Sequence, residues 1–77
     1  MTETTWHYNL VRYPSGDLGI HEFYVDHSPE GDKISWTEKA VSAYGDTPEE
    51  VAEVLETMKK DILKHKILDL KTGRLEG

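Results

Sequence analysis

Along residues 5–13, Trp6, Tyr8 and Leu10 alternate with His7, Asn9 and Val11. This is the period-2 pattern of a β-strand. Pro14-Ser15-Gly16-Asp17 interrupts it. Proline fixes φ and glycine frees it, so a compact hairpin turn is expected. The return segment, 18–26, carries apolar groups in both alternation sets: Leu18, Ile20 and Tyr24 in one, Phe23 and Val25 in the other. A strand apolar on both faces belongs in the middle of a sheet. A longer turn over 27–32 leads to a third strand over 33–38, where Ile34 and Trp36 alternate with Ser35 and Thr37. Residues 40–44 are expected to extend it past a bend. None of these connections is long enough for a crossover, which predicts an antiparallel meander.

After Thr47 the period changes. Thr47-Pro48-Glu49-Glu50 places a hydroxyl at the N-cap, proline at the first helical position and glutamate three residues after the cap. Val51, Val54, Leu55, Met58 and Ile62 then recur as one stripe of an amphipathic helix. The spacing predicts a helix over Pro48–Lys64, about 25 Å long at 1.5 Å per residue. Leu55 and Met58 are expected to point into the core. Ile67, Leu68 and Leu70 predict a short final strand, and 71–77 lacks apolar periodicity and is expected to be a disordered tail. The expected fold is a two-layer α+β sandwich, β-β-β-α-β, within one domain over 1–70. Its sheet is antiparallel with three to four strands, and one helix covers one face.

The chain has 77 residues, enough for one thin core and too few for a large enclosed active-site cavity. The absence of cysteine excludes disulfides and thiolate metal sites and fits a reducing compartment. No apolar run is long enough to span a membrane, and Met1–Thr5 lacks the basic and apolar regions of a signal peptide. A cytoplasmic location is therefore expected. The net charge of −6 is unevenly distributed. Residues 1–58 hold twelve acids and three bases, a net −9, whereas 59–77 hold three acids and six bases, a net +3. An acidic body repels phosphates, which disfavours direct nucleic-acid binding and suits a basic protein partner.

Motifs of known chemistry are missing. His21-Glu22 would open a zinc-helix motif only if residue 25 were histidine, and it is Val25. On a strand, His21 and Glu22 also point to opposite faces. His7 and His21 fall on adjacent strands, but two imidazoles without a third ligand make a weak metal site. Asp26, Glu30 and Asp32 lack the spacing of a calcium loop. The chain has no nucleophile elbow, phosphate-binding glycine loop or cysteine nucleophile. A non-enzymatic protein without metal or cofactor is expected.

Two surfaces remain as candidates. One is the acidic helix end, with Asp46, Glu49, Glu50, Glu53 and Glu56. The other is the sheet face that a single helix leaves open. Trp6, Tyr8, Phe23, Tyr24, Trp36 and Tyr44 exceed what the covered face can hide, and His21 and Trp36 mark the open one. Such a face serves binding or self-association, as in a homodimer.

Gly45-Asp46-Thr47-Pro48-Glu49-Glu50-Val51 resembles the G-D-T-x-E-E-A stretch of HicB-type antitoxin domains, which enters the single helix of a β-β-β-α-β fold. Over nearly the whole chain there is also a resemblance to a family of small uncharacterised bacterial proteins. It is carried by Gly19-Ile20-His21-Glu22-Phe23-Tyr24, Ser35-Trp36-Thr37-Glu38, Gly45-Asp46-Thr47-Pro48-Glu49-Glu50 and Lys66-Ile67-Leu68-Asp69. The HicB resemblance implies a small basic toxin as partner. HicB antitoxins usually add a DNA-binding segment, and nothing after residue 70 reads as one, so operator binding is not expected. Three functions follow as expectations. The first is a protein-interaction module for a basic partner, and the second a phage-type inhibitor that mimics nucleic acid through its acids. The third is a small-ligand binder or enzyme on the open face around His21 and Trp36.

Overall fold

Strands β1 (Glu3–Arg12) and β2 (Leu18–His27) pair along their whole lengths, from Glu3 opposite His27 to Arg12 opposite Leu18. The structure, a computed structural model, describes residues 3–76. Two backbone bonds close the hairpin turn, Tyr13 N–H to the Asp17 carbonyl and Gly16 N–H to the Tyr13 carbonyl, each 2.8 Å. Gly16 sits at φ 96°, where a side chain would be strained. Strand β3 (Lys33–Trp36) pairs with Phe23–Asp26 on the far side of β2. Past Trp36 the chain bends but stays beside β2, since Thr37 N–H donates to Glu22 O and Val41 N–H to Ile20 O. The expected strand over 40–44 is thus reduced to isolated bonds.

Helix α1 (Pro48–Lys64) has the expected bounds. Thr47 Oγ1 accepts from Glu50 N–H at 3.2 Å. Glu50 Oε2 accepts in turn from Asp46 N–H at 2.7 Å, one residue before the cap rather than at the cap itself. Caps of this kind contribute about 0.5–2 kcal/mol. The helix returns the chain to the middle of β1, where Lys66 O accepts from Asn9 Nδ2, and strand β4 (Ile67–Asp69) then joins the last residues of β1 in parallel, with Val11 opposite Leu68. Strand β5 (Arg74–Glu76) folds back on β4 in antiparallel fashion.

The sheet is therefore mixed and five-stranded, in the order β3-β2-β1-β4-β5. This corrects the antiparallel sheet of three to four strands. It also corrects the expected disordered tail, because residues 74–76 are sheet. They are anchored by an Arg12 Nε to Glu76 Oε1 ion pair of 2.8 Å. Gly77, like Met1 and Thr2, lies outside the described residues. The missing signal is physical: three residues are too few to show a period, and β5 is specified by its neighbour rather than by its own pattern.

Residues opposed in a ladder share a face. One face carries Trp6, Tyr8 and Leu10 with Tyr24, Glu22 and Ile20. The other carries His7, Asn9 and Val11 with Phe23, His21 and Gly19, then Trp36 and Ile34 on β3, and Leu68 and Leu75 on β4 and β5. Helix α1 packs mainly on β1, and its Glu50, Glu53, Val54 and Thr57 stand beside Trp6 and Tyr8 of the first face, while Lys64 at its end reaches the second. Its tie is polar as well as apolar: Asp61 Oδ2 accepts from Tyr8 N–H at 3.0 Å. Met58 is the helix's buried side chain, 4% exposed, with Val51, Val54 and Ile62 partly covered. Leu55, expected in the core, is 54% exposed. A helix over one strand, rather than over the middle of a sheet, buries a stripe one or two residues wide.

The main core lies on the opposite face, where Val11 is fully buried and Phe23 and Leu68 nearly so, with Tyr13 packed against them. Tyr13 crosses Gly19 so closely that a β-carbon there would collide with its hydroxyl. The face is concave. One groove is lined by both Ile34 of β3 and Leu75 of β5. In a flat sheet these outermost strands would stand roughly 19 Å apart, four strand spacings. The curl lets a single layer enclose its own core. The accessible surface of 5900 Å² still exceeds the roughly 4,800 Å² that area scaling gives for a closed monomer of this mass.

Candidate functional site

On the helix-bearing face, β1 and the first turns of α1 border an open notch of about 500 Å³ lined by Trp6, Tyr8, Tyr44, Glu50, Glu53, Val54 and Thr57. Alternation places Trp6 and Tyr8 on one side of β1, where their rings meet edge to face with centroids 5.2 Å apart. Helical spacing aligns Glu50, Glu53, Val54 and Thr57 toward them. Tyr44, from the loop before the cap, closes the third side and is largely exposed. Trp6 is 54% exposed although it opposes Tyr24 in the middle of a sheet.

Carboxylates surround these rings. Tyr24 donates its hydroxyl proton to Glu22 Oε2 at 2.7 Å. That hydrogen bond raises the Tyr24 pKa, with smaller contributions from desolvation and nearby charge. The Tyr8 phenol is also pushed up, first by burial and then by the charges of Glu22 and Asp61. The notch lining holds two carboxylates and no basic side chain. Exposed ring faces beside carboxylates form a receptor for a cation: the ring quadrupole and the negative charge act in the same direction.

The expected site residues divide into separate groups. Glu49, Glu50, Glu53 and Glu56 are all exposed along the first half of α1, and Asp46 is exposed just before its N-cap. Glu50 and Glu53 reach the notch, while Glu50 and the Asp46 amide are also engaged in capping. Trp36 stands on the concave face, exposed on one side and stacked on Phe23 with ring centroids 5.7 Å apart. His21 is not a surface residue. It is 2% exposed, and both ring nitrogens are engaged. Nδ1 lies 2.7 Å from the Thr37 carbonyl, which can only accept, so Nδ1 carries the proton. In the neutral ring, Nε2 then accepts from the Tyr13 hydroxyl at 2.6 Å. His21 ties Tyr13 and the segment after β3 to the sheet, and it has no face to offer a partner.

In the sequence, Trp6, Tyr8 and Tyr44 stand out only as surplus aromatics. The alternation put Trp6 and Tyr8 on a common face, but no local signal says which strand face meets which helix face. Among the described residues, no group of three or more histidine or acidic side chains is arranged to hold a metal ion. No helix among them is long and apolar enough to cross a membrane. No protein-family model, curated protein or solved structure matches this chain.

Proposed function

We propose that this protein is a non-enzymatic interaction module that docks a basic protein segment in the aromatic and acidic notch between β1 and α1. The carrying observation is the notch lining, in which Trp6, Tyr8 and Tyr44 surround Glu50 and Glu53 without a basic side chain. An arginine or lysine inserted there gains charge attraction and a ring face, together about 0.5–2 kcal/mol or more as water is excluded. The remaining acids, Asp46 before the cap and Glu49 and Glu56 on the helix, extend the negative field outward and favour fast association with a basic surface. The resemblance of Gly45–Val51 to HicB-type antitoxin domains supports the same class of partner, a small basic protein.

The test is affinity capture at low salt with the wild-type chain, Trp6→Ala and Glu53→Lys. A basic protein retained by the wild type, released by added salt and lost with both variants is the expected result. Equal capture of that protein by all three chains would show that the notch does not bind it. Circular dichroism checks that both variants keep the fold, as their exposed positions predict.

A further inference from the structure

The concave face holds a second depression whose chemistry is opposite to that of the notch. Its volume is about 320 Å³, and its lining is His7, Asn9, Phe23, Ile34, Lys64, His65, Lys66 and Leu75. In a chain of net charge −6, this lining holds two lysines, two imidazoles and no carboxylate. Carboxylates line four other depressions: Asp26 and Glu30 near the second turn, Asp46 and Glu50 at the helix cap, Glu50 and Glu53 in the notch, and Glu76 of β5 near the helix end. We infer that this groove is a binding site for a small, singly charged aromatic anion such as an aromatic carboxylate.

Its floor and walls fit a flat ring. Phe23 lies at the base, with Trp36 stacked on it. The rings of His7 and His65 stack at 3.7 Å, nearly parallel at 21°, and form one wall. Ile34 and Leu75 approach from the two outermost strands. The volume is at the lower end of ligand pockets, roughly 300–1,000 Å³, which limits the ligand to a small molecule.

The polar groups are held in place. Asn9 Nδ2 donates to the Leu10 and Lys66 carbonyls, at 2.9 and 2.8 Å, so its Oδ1 is left as the acceptor. Oδ1 lies 3.2 Å from His7 Nε2, which must therefore carry the proton. The bond from Asn9 to the Lys66 carbonyl fixes the backbone of Lys66 at the lip of the groove. Lys64 is in the last turn of α1, whose C-terminal dipole favours a cation there. Both lysines are exposed, so they can meet an anion at the mouth while its ring lies in the groove against the imidazole pair, between Ile34 and Leu75.

The imidazole pair adds a proton-linked element. In the free protein, burial holds the His65 pKa below the usual histidine range. His7 and Lys64 lower it further, and Asp61 partly opposes them. An anion at the mouth reverses part of that balance by favouring the charged ring. Lys66, also at the mouth, lines the same groove. Binding should thus take up a proton and tighten as the pH falls below about 6.5.

The experiment is an NMR titration of the full chain with 2-naphthoate, using neutral 2-naphthamide as a control of equal shape and inorganic phosphate as an anion without a ring. Saturable shifts at His7, Phe23, His65 and Leu75 are expected with naphthoate. Binding should weaken by about tenfold or more for the amide and for Lys64→Gln/Lys66→Gln, and be retained by Lys64→Arg/Lys66→Arg. Phosphate should not compete. The inference is overturned if naphthoate produces no saturable shifts in the groove, if the amide binds equally well, or if the glutamine variant keeps full affinity while folded. Loss of affinity in the arginine variant would also overturn it, because charge would then not be the determinant.

Discussion

The two faces of this sheet divide the protein's tasks. The concave face carries Val11, Phe23 and Leu68, the most deeply buried apolar cluster. It also carries two buried polar side chains, Asn9 and His21, each hydrogen-bonded. The helix-bearing face buries Met58 and leaves Trp6, Tyr24 and Leu55 substantially exposed. A helix set over one strand covers less than a sheet curled on itself. Cohesion is therefore concentrated on the face without a helix, and the face with a helix has aromatic surface to spare. The charges follow the same division, with carboxylates around the aromatic notch and lysines and imidazoles around the groove.

The largest effect that can test this contrast is Phe23→Ala. Removing a buried ring from the concave core should cost about 3–5 kcal/mol in chemical denaturation, a large fraction of what a domain of this size holds. A loss below about 1 kcal/mol would place the core elsewhere. Removal of one hydroxyl sharpens the comparison. Tyr13→Phe leaves the buried His21 Nε2 without its donor and should cost about 1–3 kcal/mol. Tyr24→Phe on the other face removes an exposed bond to Glu22 and should stay within about 0.5 kcal/mol. Similar losses for the two variants would erase the distinction between the faces.

Leu55→Ala should also change stability by no more than about 0.5 kcal/mol, because the side chain is exposed. A loss of about 2 kcal/mol or more would mean that the helix turns its Leu55 stripe inward after all.

The smallest effect is proton-linked. The folded pKa of His65 is lowered mainly by burial and then by His7, so the unfolded chain binds more protons in the window below about 6.5. The stabilisation from the neutral ring is complete above that value and declines as the pH falls through the window. Between about pH 7.5 and 5.5, the denaturation midpoint should fall more for the wild type than for His65→Gln. Identical profiles would remove His65 from the account.

The legible parts were those encoded by neighbours in sequence. The helix bounds follow from Thr47, Pro48, Glu50 and the stripe after them, since capping and amphipathicity act within a few turns. The β1–β2 hairpin follows from alternation interrupted by Pro14 and Gly16. The acids of the candidate site were visible as a cluster, but their aromatic counterparts were not. Trp6 and Glu53 are 47 positions apart in the chain and meet only once the helix has docked on β1.

By itself, then, the sequence determined a single α+β unit with one capped helix, a long hairpin and an acidic body with a basic end. Local conformational preference, side-chain period and charge count are properties of short segments, and they need no fold to be expressed. Tertiary structure alone decided that β4 runs parallel to β1, that 74–76 becomes a fifth strand and that the sheet curls around Val11 and Phe23. It also decided that His21 is buried while Leu55 is not. Each of these outcomes depends on which surfaces are left for an element to cover once the others have packed, and that competition between distant segments leaves no mark on any one of them.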